Sequence, residues 1–244
     1  MSTAPLRIVL AVLVAAGALV SAAPAGQFGF LRGSNRSVSI RGDDGRAIAG
    51  LMVEADRRPA AAVVLVPMLG RPKEDWQPLA ERLAEANITA LAIDLPGQSL
   101  PADPKALSAW HTVIGAAVGY LAARPDVRAF TIGVAGASLG ANLAAVAAAA
   151  DPRIRSLALI SPSLEYRGVR IEAAMKQYGD RPALLLASLK DPYAARSIRE
   201  LAATGGSREL QWSETPAHGT VLLAREPDLN RSLVEWFRRT LAVN

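Results

Sequence analysis

The sequence predicts an α/β fold: a mostly parallel, twisted sheet of about eight strands with helices on both faces, preceded by an antiparallel hairpin. Three observations predict it. Short, wholly apolar runs such as Ala61–Val66 recur along the chain, and a run apolar at every position is how a strand buried on both faces reads. These runs alternate with segments of helical period, and strand–helix alternation gives parallel pairing through right-handed crossovers. The third is one sharp punctuation, Gly136-Ala137-Ser138-Leu139-Gly140, set between the apolar run Ala129–Ala135 and an Ala-rich segment, 141–150, that reads as a helix.

Taken in order, the chain opens with one charge, Arg7, followed by thirteen apolar residues, Ile8–Val20, and the small residues Ser21-Ala22-Ala23-Pro24-Ala25. That is the pattern of an export signal over residues 1–25, with cleavage expected after Ala22 or Ala25. A membrane span needs about 20 apolar residues, so an uncleaved anchor is the alternative reading. Residues 26–35 read as a Gly-containing linker, and 36–244 as one domain with no large cap.

Within that domain, Ser37–Ile40 and Ala47–Ala55 flank Asp43-Asp44-Gly45-Arg46, a hairpin signal. Ala61–Val66 is the first fully buried strand. Lys73–Glu85 is a helix with Trp76, Leu79, Ala80 and Leu83 on one face. Thr89–Ile93 is a strand, Ser108–Ala123 a helix closed by Arg124-Pro125, and Phe130–Val134 the strand leading to the central turn. Further strands follow at Ser156–Ile160, Ala183–Ser188 and Glu209–Trp212, with a helix at Tyr193–Ala203 stopped by Gly205-Gly206. Leu229–Leu241 is the last helix; Asp228 is its expected N-cap, and Leu233, Val234, Trp236, Phe237 and Leu241 its core face.

Composition narrows the function. Apolar residues are 51% of the chain, enough for a substantial core, while aromatics are 5%, so that core is built of Ala, Val, Leu and Ile. The formal net charge is +5, but the arginines are scattered singly, which argues against a nucleic-acid surface. There is no cysteine, which excludes disulfides, a thiolate nucleophile and thiolate zinc sites; two histidines make a His-rich metal site improbable. No cofactor is called for. The expected partner is a small-molecule substrate, with membrane contact only through an uncleaved leader.

The turn at 136–140 supplies the chemistry. A serine on a sharp strand-to-helix bend needs glycines two residues to either side, and it sits at a helix N-terminus that favours developing negative charge. Its hydroxyl needs a base to take the proton. His218, in the loop Pro216-Ala217-His218-Gly219 before the last helix, suits that task; His111, read as mid-helix, suits packing or surface. The base needs an acidic partner. Asp191, at the end of the run Leu184–Leu189, lies where open parallel sheets collect ligand-facing groups; Glu165 competes. Two N–H donors must hold an oxyanion. One is Leu139; the other belongs to the turn Pro67-Met68-Leu69-Gly70, where proline has no N–H and Leu69 is favoured over Met68.

With these residues in view, the chain resembles the α/β-hydrolases, of the compact dienelactone-hydrolase or small-esterase type. The resemblance covers about residues 36–242. It is carried by the elbow at 136–140, by the order Ser138, Asp191, His218, by Ala62–Gly70 followed by Glu74-Asp75-Trp76, and by Asp94-Leu95-Pro96-Gly97-Gln98-Ser99. It departs from the family at Pro67-Met68, where His-Gly is usual, and at Ala137, where many esterases carry a larger residue. Ser161–Arg181 is long enough for a small flap only, so an open pocket is expected.

The resemblance implies a serine hydrolase for carboxylic esters or thioesters. A non-catalytic envelope protein keeping the fold for binding, and a small serine peptidase, are the rivals. Arg71, Lys73 and Lys190 could attract an anionic acyl group or be solvated loop charges. Tyr166, Met175 and Tyr178 could line an acyl pocket or pack the flap.

Overall fold

The computed structural model describes Met1 and residues 35–97 and 99–242. The expected leader, beyond Met1, and linker, before Asn35, lie outside the described residues. An eight-stranded sheet organises the fold, in the order β1-β2-β4-β3-β5-β6-β9-β10. The strands are β1 (Asn35–Arg41), β2 (Ala47–Val53), β3 (Ala60–Val66), β4 (Ile88–Ile93), β5 (Val127–Ala137), β6 (Ile154–Ile160), β9 (Ala183–Ser188) and β10 (Arg208–Ser213). A two-residue pair, β7 (Glu165–Tyr166) and β8 (Val169–Arg170), forms a separate hairpin.

The Asp-Gly signal is a hairpin: β1 and β2 pair antiparallel from Arg41↔Ala47 outward, and Gly45 takes φ +81° in its turn. β2 pairs antiparallel with β4, and every pair from β4 through to β10 is parallel.

Both faces of the parallel strands are buried because successive side chains point to opposite sides. Ala62, Val64 and Val66 of β3 join one core with Ile132, Val134, Leu157, Leu159 and Leu185. Ala61, Val63 and Leu65 join the other with Ala135, Ala137, Ala158, Ile160 and Leu186. The first core is covered by α2 (Pro104–Ser108), α3 (Thr112–Ala122), α4 (Leu139–Ala150), α5 (Glu172–Tyr178) and α6 (Pro192–Ala202). The second is covered by α1 (Gln77–Glu85), α7 (Thr220–Arg225) and α8 (Pro227–Thr240). On this second face the central strands offer small side chains, and the helices bring large ones. Trp76, Leu83 and Phe237 are fully buried there. A Cβ at Gly133 would come within 2.7 Å of the Phe237 ring, so the bare glycine is what lets α8 lie against β5.

Several boundaries differ from the sequence reading. Lys73–Trp76 is a 3-10 turn leading into α1, because Pro78 suits the first turn of an α-helix and not its interior. The expected helix 108–123 is α2, a 3-10 turn Ala109–His111, and then α3, so His111 sits at a helix start rather than mid-helix. The strand read as Phe130–Val134 extends over 127–137, with register shifts against both neighbours and with Phe130 exposed. The last helix begins at Pro227 with Glu226 as N-cap; Asp228 lies in its first turn and is not the cap. Proline at the first helical position shifts the start by fixing φ there. Tyr178 and Met175 are buried in the first core, and the Tyr178 hydroxyl donates to the Pro182 carbonyl at 2.9 Å, so both pack. Burial pushes the Tyr178 phenol well above its ordinary range.

Candidate active site

The strands β4, β3, β5, β6, β9 and β10 run parallel to one another, so all their C-terminal ends share one rim. Six chain segments therefore meet there: Pro67–Arg71 after β3, Asp94 after β4, Ser138 after β5, Ser161 after β6, Asp191 after β9 and His218 after β10. This is the physical reason for the long sequence spacing of the candidate groups.

Ser138 stands between β5 and α4 with φ 52° and ψ −121°, a backbone that side chains rarely adopt. The bend that lifts it is tight on both sides. A Cβ at Gly136 would lie 2.3 Å from the Gly140 carbonyl oxygen, and a Cβ at Gly140 would lie 2.3 Å from the Pro67 carbonyl oxygen. The bend is pinned by the Ser138 N–H donating to the Ile160 carbonyl at 2.9 Å, and by the Ala141 N–H donating to the Ser138 carbonyl at 2.9 Å. Leu139 begins α4, so its N–H belongs to the unpaired first turn.

The structure brings Ser138, His218 and Asp191 together. His218 Nε2 is 2.8 Å from Ser138 Oγ, across eighty positions of chain, and His218 Nδ1 is 2.5 Å from Asp191 Oδ2. A carboxylate only accepts, so Nδ1 carries the ring proton and Nε2 offers its lone pair to the serine hydroxyl. Asp191 is itself held: it caps α6, where its Oδ1 accepts from the Ala194 N–H at 3.1 Å. Its side chain is 17% exposed and that of His218 45%, so the imidazole faces solvent while the carboxylate is sheltered. Glu165 does not reach the histidine; it pairs with Arg170 at 2.9 Å on the flap hairpin. His111 Nδ1 bonds the Ser108 carbonyl at 2.7 Å, within its own turn.

Sequence reasoning missed the groups that hold the histidine loop. Ser161, with φ 50° and 1% exposed, accepts the Gly219 N–H at 3.0 Å. Ser188, fully buried, donates to the Thr215 carbonyl at 2.6 Å and accepts the Lys190 N–H at 3.0 Å, tying the loop of Asp191 to the loop of His218. Thr220, the first residue of α7, donates to Asp75 at 3.2 Å. The one local signal was that Ser161 and Ser188 stand at the ends of apolar strands, where an isolated polar residue has to find a partner.

Asn142, one turn after Ser138 and fully buried, moors the flap. Its Nδ2 donates to the Ser163 carbonyl at 2.9 Å and the Val169 carbonyl at 3.3 Å, and its Oδ1 accepts the Ser163 N–H at 3.1 Å.

Beside the triad geometry, a cleft of about 620 Å3 runs past Met68, Arg71, Lys73, Glu74, Asp94 and Gly97; Ser138 and His218 do not line it. Its cations are paired. Arg71 meets Asp75 at 2.6 Å, Lys73 meets Glu74 and Asp94 at 2.9 Å each, and Lys190, outside the cleft, meets Glu214 at 3.5 Å. The bonds from Glu74 and Asp94 push the Lys73 ammonium above its ordinary value, and Lys73 in turn holds the Glu74 carboxyl below its own. Two cations against three carboxylates make this wall mildly acidic and unlike an anion site.

Comparison with known proteins agrees with this geometry at the level of fold. DcsB, in complex with its substrate analogue, superposes with a TM-score of 0.75 at 14% identity, over 86% of this chain and 100% of its own. A dienelactone hydrolase from Anabaena variabilis gives 0.73 at 20%, over 86% and 99%, and an esterase of Pyrococcus furiosus gives 0.70 at 16%, over 85% and 91%. Comparison with the curated proteins finds no match. The alpha/beta hydrolase family matches residues 63–243, which takes in the parallel strands from the middle of β3 onward and all of the rim residues named above. The chain belongs to the alpha/beta hydrolase family, with the architecture of its small esterases.

Proposed function

We propose that this hydrolase is an exported serine esterase acting on carboxylic esters or thioesters, with Ser138 as nucleophile, His218 as base and Asp191 as the acid that orients it. The observation that carries the reading is the pair of bonds at His218, 2.8 Å to the Ser138 hydroxyl and 2.5 Å to the Asp191 carboxylate. A neutral imidazole between an alcohol and a carboxylate is the arrangement that makes a serine nucleophilic at neutral pH.

The steps follow from that arrangement. Ser138 Oγ bonds to the substrate's carbonyl carbon while its proton passes to His218 Nε2. The carbonyl electrons move onto oxygen, and the N–H groups of Leu139 and Leu69 stabilise the negative charge, Leu139 from the start of α4 and Leu69 from the turn after β3. Asp191 stabilises the imidazolium and keeps its Nδ1 proton in place. When the carbonyl re-forms, the C–O or C–S bond to the leaving group breaks, and the departing alkoxide or thiolate takes the proton from Nε2. Water then attacks the acyl-serine with His218 again accepting a proton, and collapse returns the carboxylic acid and free Ser138.

The substrate would approach an open site, since His218 is 45% exposed and no large cap lies over it among the described residues. Export rests on the leader pattern of residues 1–25; mass spectrometry of the secreted protein is expected to find a start near Ala23 or Gly26, and an intact Met1 would overturn cleavage.

The test of the enzyme is Ser138→Ala. It is expected to fold normally and to lower turnover of p-nitrophenyl acetate by about four to six powers of ten. A fluorophosphonate probe should label the wild type at Ser138 and leave the variant unlabelled. Undiminished hydrolysis by the variant would refute the assignment, and an unlabelled, inactive wild type would favour a binding role.

A further inference from the structure

Two parts of the site arise on strands that do not pair with each other, with β5, β6 and β9 between them in the sheet order. The turn Pro67–Arg71, source of one oxyanion donor, follows β3; the loop carrying His218 follows β10 at the far edge of the sheet. They nonetheless meet on the side covered by α1, α7 and α8. A Cβ at Gly219 would lie 2.8 Å from Met68 Sδ, so these two loops approach as closely as glycine allows.

One carboxylate oxygen spans the junction. Asp75 Oδ2 accepts from Arg71 Nε at 2.6 Å, on the oxyanion side, and from Thr220 Oγ1 at 3.2 Å, two residues after His218. Thr220 is 4% exposed and the Asp75 side chain 16%, so water competes little for either bond. The other atom within reach of the threonine hydroxyl is Met68 Sδ at 3.5 Å, a much weaker acceptor than a carboxylate. Gly219, with φ +58°, turns the chain between the histidine and this threonine, and its N–H is fixed by Ser161.

From this geometry we infer that the Thr220–Asp75–Arg71 chain is a latch that sets the position of His218 relative to the oxyanion turn, with Thr220 and Asp75 as positioning residues for the ester hydrolysis proposed above. Neither touches the reacting atoms. A threonine hydroxyl at the first residue of α7 fixes where that helix starts, and the start of α7 fixes where His218 stands. The inference rests on the hydrolase reading for its kinetic consequence, but not for its structural one.

The experiment compares Thr220→Val, which keeps the shape and removes the donor, with Thr220→Ser, which restores the donor, and with Asp75→Ala, which removes the acceptor. With p-nitrophenyl acetate, Thr220→Val and Asp75→Ala are each expected to lower kcat about ten- to a hundredfold with KM within about twofold, because misplacement of the base acts on the chemical step. Thr220→Ser should recover most of the loss, and the double variant Thr220→Val/Asp75→Ala should be no worse than Asp75→Ala alone, as members of one unit are not additive. A second readout needs no turnover. The Nδ1 proton of His218, in its short bond to Asp191, should resonate far downfield in the proton NMR spectrum, assigned against a His111→Gln background. It is expected to move or broaden in Thr220→Val and Asp75→Ala and to stay in place in Thr220→Ser. Wild-type kcat and an unmoved ring proton in both Thr220→Val and Asp75→Ala would overturn the latch. An inactive wild type whose ring proton still responds to these variants would keep the latch and remove the esterase reading instead.

Discussion

Gly140 sits against Pro67 so closely that a Cβ on the glycine would lie 2.3 Å from the proline's carbonyl oxygen. The contact locks the first turn of α4 onto the end of β3, and so fixes the spacing between the serine's helix and the turn Pro67–Arg71. Gly140→Ala meets the backbone of Val66 and Pro67, where no flexible side chain can move aside. It is expected to cost about 2–4 kcal/mol of stability, read as a lower denaturant midpoint, and to abolish ester turnover in whatever protein remains folded.

Ser138→Gly should behave in the opposite way for stability. The serine is held at φ 52° and ψ −121°, a conformation that costs a side chain about 1–3 kcal/mol and glycine little. After the extra chain entropy of glycine is subtracted, a net gain of about 1 kcal/mol is expected, with all turnover lost. Equal or lower thermal stability than wild type would show that the bend is relaxed rather than strained.

The flap predicts its own mobility. Asn142→Leu removes the two donors and one acceptor that hold Ser163 and Val169, leaving buried backbone groups without partners. A loss of about 2–3 kcal/mol is expected. Amide exchange over residues 163–170 should speed up while β3 and β5 stay protected, which mass-resolved hydrogen exchange would read directly.

Charge selectivity follows from the cleft beside Met68. Because Arg71 and Lys73 are matched by Asp75, Glu74 and Asp94, a carboxylate on the substrate gains little there. A p-nitrophenyl monoester of succinic acid is expected to react no faster than the butyrate ester at equal concentration. Strong preference for the succinate would mean that the lysine leaves its partners when substrate binds.

At the opposite end of the sheet, Arg124 donates to both oxygens of Asp126 at 2.8 and 2.6 Å, and this bond holds the Asp126 carboxyl below its ordinary value. A depressed carboxylate stabilises the fold above its unfolded pKa of about 3.9, and that contribution is lost as pH falls through the lower folded value. Asp126→Asn is therefore expected to lower the melting temperature at pH 7, with the gap from wild type closing below about pH 4. A gap that stays constant with pH would assign the effect to packing.

Much of this protein is determined by sequence alone. Alternating apolar runs and amphipathic segments are local properties of the chain, and they suffice for a parallel sheet covered on both faces, because a strand with no polar side has nowhere else to go. Gly136 is likewise local, since a Cβ there would meet the Gly140 carbonyl of the same bend, whereas Gly140 is required by Val66 and Pro67 at the end of another strand. That His218 meets Asp191 and not Glu165 is less local. Both follow strands, and only the fold shows that the strand before Asp191 lies beside the one before His218, while Glu165 is carried off onto a hairpin and occupied by Arg170. The start of the last helix is local, set by Pro227, but the break of 104–122 into three pieces and α7 itself do not follow from apolar periodicity. Tertiary structure alone supplied Ser161, Ser188, Asp75 and Thr220. Their bonds join residues 27 to 145 positions apart, and a hydroxyl carries no sign in sequence of which distant group it will meet.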